Sequence, residues 1–186
     1  MTNRIEVADK LPALPGEVII YEVDAENIIT RIDASWKVFA ESNGAPELNE
    51  ANVIGKPLLH FVSGNVTKKF WINLLNHVRT SGIAHSFNYR CDAPNTKRHM
   101  NIKVAPLDAG HLRITSTLLS TKPRPLQIHF RRAQQRTAAS IARCSMCNKV
   151  AYNKEWIEAE ELNRGLKTTL DVTYGICPVC HVKIDL

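Results

Sequence analysis

A chain of 186 residues, 44% of them hydrophobic, has room for one ordinary domain and a small appendage. No run approaches the roughly 18 apolar residues that span a bilayer, and Met1 to Lys10 has no apolar stretch of the signal-peptide kind, so a soluble, cytoplasmic protein with no membrane partner is expected. The net charge of +6 is concentrated rather than uniform: residues 121–150 carry seven basic and no acidic side chains, whereas the flanking segments are nearly balanced.

Residues 1–16, polar and with Pro12 and Pro15, read as a lead-in. Val18-Ile19-Ile20-Tyr21 is a β-branched and aromatic run, Asp24 to Asn27 supplies a turn, and Ile28 to Ile32 a second strand. Asp33 or Ser35 can cap a short helix through Trp36, Val38, Phe39 and Ala40, which Asn43-Gly44 would stop. Val53 to Val62 reads as a turn into another short helix. Between Val66 and Thr80, Phe70, Leu74 and Val78 recur every four residues beside Trp71 and Leu75, and Gly82 stands where a C-terminal cap belongs. Beyond Gly82 the period becomes two. Phe87, Tyr89 and Cys91 alternate with polar residues, Ala93-Pro94-Asn95 turns the chain, and Met100, Ile102 and Val104 alternate in turn. A last strand runs from His111 to Leu119. The expected fold class is α+β: over residues 17–120, a five-stranded antiparallel sheet with helices on one face, able to enclose an apolar pocket.

Residues 121–143 form a basic connector. Pro123 and Pro125 break the chain, and residues 126–143 contain good helix formers with neither glycine nor proline, so a connecting helix is expected. Phe130, Ala133, Thr137 and Ile141 would give it a thin apolar stripe, and Arg131, Arg132, Arg136 and Arg143 would be available for an acidic partner or phosphates. No helix-turn-helix pattern or finger spacing accompanies them.

Residues 144–186 carry the most specific signal. Cys144-x-x-Cys147 and Cys177-x-x-Cys180 are two knuckles separated by 29 residues. Each presents two thiolates from one tight turn whose N–H groups donate to sulfur, and two knuckles complete a tetrahedron, so one structural zinc ion is expected. The closed set leaves no position for a reacting water. A disulfide suits an oxidising compartment rather than the cytosol. An iron-tetrathiolate carrier such as rubredoxin has glycine after each knuckle, where Asn148 and His181 stand here. His181, directly after a knuckle, reads as a neighbour of the site rather than a ligand. A short helix around Trp156, Ala159 and Leu162, capped by Asn153 and stopped by Gly165, would cover one side. Chelation is expected to unfold this tail and leave the first domain folded.

Residues 17–120 resemble a PAS domain, the small sensory module of bacterial and eukaryotic signalling proteins. The resemblance rests on the opening hairpin, Trp36 to Asn43, the Val53-Ile54-Gly55-Lys56-Pro57-Leu58 segment, the Phe70 to Val78 helix and the three closing strands. The tail resembles a zinc-ribbon-like cysteine module appended to some bacterial PAS and response-regulator proteins, through Cys144 to Val150, Trp156 and Tyr174 to Cys180.

The PAS resemblance implies haem, flavin, a metabolite or no ligand at all. Residues 53–70 contain no cysteine, which excludes the covalent flavin photochemistry of the light-sensing subgroup. His77 is the candidate haem ligand on the apolar stripe, against the plainer reading of a solvated histidine at its edge. The candidate pocket residues are Phe70, Leu74, His77, Phe87, Tyr89, Cys91, Met100 and Ile102, with Cys91 read as a small buried hydrophobe rather than a redox sensor. No catalytic triad, carboxylate pair or phosphate loop is present.

The expectation is therefore a non-enzymatic sensory or regulatory protein, in which the PAS-like domain signals through the connector to a zinc module that contacts a protein partner or a second copy. A nucleic-acid-binding transcriptional regulator is the alternative. A thiol or iron redox sensor or carrier is the third reading.

Overall fold

The computed structural model of the chain describes residues 17–135, 137, 139–162 and 169–184. The lead-in at 1–16, Arg136 and Gly165 lie outside the described residues.

β1 (Val18–Val23) and β2 (Ile29–Ile32) form the opening hairpin. The Asp24 carboxylate accepts from the N–H groups of Glu26 and Ile28 at 3.0 and 2.8 Å, and Asn27 takes the left-handed conformation that closes the turn. α1 (Ala34–Ser42) begins where the Asp33 carboxylate accepts from the Trp36 N–H. A single turn, α2 (Glu50–Val53), precedes a 3₁₀ turn at Leu58–His60. α3 (Asn65–Ser81) is the long amphipathic helix, burying Thr67, Leu74, Leu75 and Val78 and ending on left-handed Gly82, whose N–H bonds the Val78 carbonyl. β3 (His85–Arg90), β4 (Thr96–Pro106) and β5 (Leu112–Pro123) complete an antiparallel sheet of order β2-β1-β5-β4-β3. Ile114 stands opposite both Tyr21 and Val104, and Phe87 opposite Ile102, so one face of the sheet turns its apolar positions toward α3.

The connector is where sequence and structure part. No connecting helix is present among the described residues of 121–143. β5 continues to Pro123, β6 occupies His129–Arg132, and β7 runs from Ile141 to Cys144. The reason is the spacing of Ile128 and Phe130. They alternate with exposed His129 and Arg131, and a helix would have put them on opposite sides. As a strand, β6 aligns parallel to β10 (Thr169–Gly175), which pairs parallel with β7 on its other edge. β8 (Val150–Tyr152) and β9 (Glu155–Ile157) extend this second sheet to the order β6-β10-β7-β8-β9. Asn153 and Lys154 both have positive φ and make the two-residue turn between β8 and β9, so Asn153 is not a helix cap and Trp156 lies in a strand. Among the described residues of this half, helix is confined to α4 (Ala159–Leu162) and to α5 (Pro178–Lys183).

The two sheets share a core. Leu74, Leu75, Val78, Phe87 and Ile102 belong to one continuous apolar cluster with Cys144, Met146, Cys177 and Ile184. A second cluster of Ile128, Val150, Ala159, Leu170 and Val172 fills the second sheet. Among the described residues no helix is long and apolar enough to cross a membrane.

Candidate metal centre and ligand cavity

The first knuckle follows the end of β7. Its turn is closed by the Asn148 N–H on the Cys144 carbonyl at 3.0 Å, with Asn148 at φ +60. The second knuckle is the start of α5, where Pro178 fills the first helical position and the Cys177 sulfur accepts from the Cys180 N–H at 3.4 Å. All four Sγ atoms lie within 4.8 Å of one another, Cys144 and Cys177 buried and Cys147 and Cys180 half-buried. Cys144 Sγ accepts from the N–H groups of Met146 at 3.4 Å and Cys177 at 3.3 Å. These are the N–H···S bonds that tetrathiolate knuckles require.

The donor set fits a metal ion by its own electrostatics. Cys144 is held down at about 4, first by the Cys147 thiol donating to it and then by surrounding N–H groups that outweigh burial. Cys147 is pushed far above the ordinary thiol range, first by that same shared proton and then by burial. Cys180 is pushed up to about 12, first by burial and then by the charge on Cys144. Cys144 thus takes a negative charge readily, whereas Cys147 and Cys180 resist it. A dication among them removes that resistance. The four cysteines could therefore hold a metal ion, and His181 lies outside the set: it is exposed on α5 and lines a separate outer groove.

Between the first sheet, α1 and α3 lies a cavity of about 320 Å³. Its walls are Ile19, Tyr21, Phe87, Tyr89, Ile102 and Ser116 from the sheet, Trp36, Phe39, Ala40, Asn43, Ala45 and Leu48 from α1 and its following loop, Thr67 and Trp71 from α3, and Ser145 and Met146 from the first knuckle. No wall residue is charged, and no histidine is among them. The polar groups largely satisfy one another: Trp36 Nε1 donates to the Leu48 carbonyl at 2.7 Å, Asn43 Nδ2 to the Phe39 carbonyl at 2.7 Å, and Tyr89 OH to Ser116 Oγ at 3.1 Å. Burial, and then the neighbouring Tyr89 phenol, pushes the Tyr21 phenol well above its usual range, so it stays neutral.

Of the pocket residues expected from sequence, Phe87, Tyr89 and Ile102 line this cavity. Leu74 is fully buried in the main core. Met100 packs with Ile19 and Leu118, and half-buried Cys91 lies against the same small cluster. Phe70 and His77 line the outer groove, of about 640 Å³, with Val66, Asn73, Ile176 and His181. His77 is exposed there, its ring centroid 6.2 Å from that of His85, so it does not face the cavity where a haem would sit. Sequence reasoning missed Trp36 and Trp71 as walls, although both are large apolar side chains on helices already recognised. Nothing in the sequence signalled Ser145 and Met146.

The connector arginines are divided. Arg131 pairs with Asp171 on the neighbouring strand, Arg132 is exposed, and Arg143 is buried with its guanidinium 3.8 Å from the Phe130 ring centroid. The basic residue just before them, Arg124, is fully buried and bonded to buried Asp92 at 2.7 Å. It belongs to an ion network joining the two sheets: Arg90 binds Asp92 and Glu158, and Lys97 binds Glu158 at 2.9 Å and Glu160 at 3.0 Å.

No family model matches the chain, and no curated protein matches it. Among solved structures, the PAS domain of the RpfR quorum-sensing receptor from Cronobacter turicensis, in complex with BDSF, is similar at 14% identity and a TM-score of 0.44, covering 60% of this chain and 100% of that one. The photoactive yellow protein domain from the sensor histidine kinase Ppr of Rhodospirillum centenum gives 16% identity and a TM-score of 0.42 over 54% of this chain and 91% of that one. A domain of an HTR-like protein from Haloarcula marismortui gives 15% identity and a TM-score of 0.42 over 56% and 99%. The strand order β2-β1-β5-β4-β3 with helices packed on one face is a PAS-like architecture.

Proposed function

We propose that this chain is a non-enzymatic sensory or regulatory protein. Its PAS-like half takes a small, neutral, chiefly apolar molecule into the cavity, and its second half is a structural zinc module whose outer surface meets a protein partner or a second copy. The observation that carries this reading is the uncharged wall of the 320 Å³ cavity. A charged ligand group would be buried there without a counter-charge, at a cost of several kcal/mol, whereas apolar surface gains about 25 cal/mol per Å² on entering. The volume is at the small end of ligand sites, suiting a compact molecule. Zinc is the ion that four thiolates in a closed tetrahedron favour, and such a site shapes a surface without supplying a reactive water.

Native mass spectrometry of the purified chain tests this in one measurement. One zinc ion per chain and saturable uptake of the neutral fluorophore N-phenyl-1-naphthylamine are expected. A protein that carries iron, or that takes up no apolar probe, overturns the reading.

A further inference from the structure

The turn that would hold the metal is also a wall of the cavity. Ser145 and Met146 are the two residues between Cys144 and Cys147, and both line the space that Tyr21, Trp36 and Phe87 enclose from the other side. Each is tied to both halves of the molecule. Met146 directs its N–H to Cys144 Sγ, and its carbonyl accepts the Arg90 N–H at 2.7 Å. The Ser145 N–H donates to the Gly175 carbonyl at 2.8 Å beside the second knuckle, and Ser145 Oγ lies 2.8 Å from Thr67 Oγ1 on α3. In that hydroxyl pair one O–H donates to the other oxygen, so one proton and free lone pairs remain for a polar group in the cavity, such as the N–H of a secondary amine.

We infer that the Cys144–Cys147 turn is a ligand-binding element, so that the metal ion and a neutral apolar ligand with one hydrogen-bonding group bind this chain cooperatively, each raising the affinity of the other. This rests on the reading that the cavity takes a ligand. The physical reason is the position of Ser145 and Met146. A turn drawn round an ion presents a finished wall, whereas a turn whose two thiols crowd those of the second knuckle must be ordered before any ligand can lean on it. Linkage then requires the two effects to be equal: the factor by which metal strengthens the ligand is the factor by which ligand strengthens the metal. For coupling through a shared wall that factor is about tenfold.

The experiment follows zinc transfer from the full chain to excess chromophoric chelator, with and without saturating N-phenyl-1-naphthylamine, alongside probe affinity at fixed free zinc. Bound probe is expected to weaken apparent zinc transfer about tenfold, and zinc to strengthen probe binding by the same factor. Met146→Trp, which leaves all four cysteines in place and fills the cavity from the knuckle side, is expected to keep one zinc ion and lose the probe. Probe binding to the zinc-loaded protein with unchanged zinc affinity overturns the coupling and leaves the ligand reading standing. Absence of probe binding to the zinc-loaded chain overturns both. A Met146→Trp protein that holds zinc and binds probe as tightly as the parent shows that the turn is not a wall of the site.

Discussion

Gly64 lies against the backbone carbonyl of Tyr174, so close that a Cβ on Gly64 would sit 2.5 Å from that oxygen. Gly64 precedes α3 and Tyr174 is in β10, so this contact presses the start of the long helix against the strand between β6 and β7 in the second sheet. It also fixes Thr67, one turn further on, beside Ser145.

Gly64→Ala is therefore expected to cost about 2–4 kcal/mol, combining the positive φ of +85 with a backbone clash that no rotamer relieves. In thermal unfolding this is a fall of about 6–12 °C for a chain of this size. Gly175→Ala is the contrast: a Cβ there meets nothing within 4 Å, and a change within about 1 kcal/mol is expected. Equal effects of the two substitutions would mean that the Gly64 contact is not tight.

The ion network gives a pH dependence of known sign. Burial alone would raise Glu158, but hydrogen bonds from Arg90 and Lys97 outweigh it and leave its carboxyl below the ordinary 4.5. A depressed carboxylate contributes stability that is present above 4.5 and lost as pH falls through the folded value. The parent is expected to lose stability on acidification below that point, and Glu158→Gln to flatten this part of the curve while costing about 1–2 kcal/mol near neutrality. Denaturant midpoints between pH 3 and 7 measure both.

How much of this was legible in the sequence follows from which contacts are local. The β1–β2 hairpin, α1, α3 and the strands β3 to β5 each announce themselves through a period of 3.6 or two and a turn residue at each end. The cysteine knuckles are equally plain, because each is a four-residue pattern. The second sheet is not, since β6 and β7 reach it only through parallel pairing with β10, about 30 to 40 residues away along the chain. There a run of helix formers masked the alternation of Ile128 and Phe130. The stripe on α3 shows that the helix is amphipathic but not which edge faces the sheet, so the sequence pattern alone groups Phe70 and His77 with a cavity they do not line. Ser145 and Met146 meet it only because two distant halves pack together.

The charge pattern of residues 121–150 suggested nucleic acid, and the side chains now bear on it. Arg124 and Arg143 are buried and Arg131 is paired with Asp171. Few phosphate contacts are left to the described part of this segment, so duplex DNA is expected to show no salt-sensitive binding near physiological ionic strength. Fluorescence anisotropy of a labelled generic duplex across a salt series checks this. A steep dependence on salt would restore the nucleic-acid reading.

The cysteines allow the metal's role in folding to be separated from thiol burial. Cys144→Ser removes the buried sulfur that accepts two of the N–H···S bonds and is expected to abolish stoichiometric zinc. Cys91→Ser, outside the cluster, packed beside Ile19 and Met100 and with the Arg98 side chain within hydrogen-bonding reach of its hydroxyl, is expected to keep one zinc ion and cost no more than about 1 kcal/mol. Chelation then distinguishes two descriptions of the molecule. An independent tail would unfold alone and leave the first sheet unchanged. Because Cys144, Met146 and Cys177 lie in the same apolar cluster as Leu74, Val78 and Phe87, chelation is expected to strip packing from the PAS-like half as well. Far-ultraviolet and near-ultraviolet circular dichroism are expected to report one coincident transition, moved to lower temperature by chelator, in the parent, and the same lowered transition in Cys144→Ser without chelator. Two separate transitions, the upper one indifferent to metal, would show that the shared core does not couple the halves.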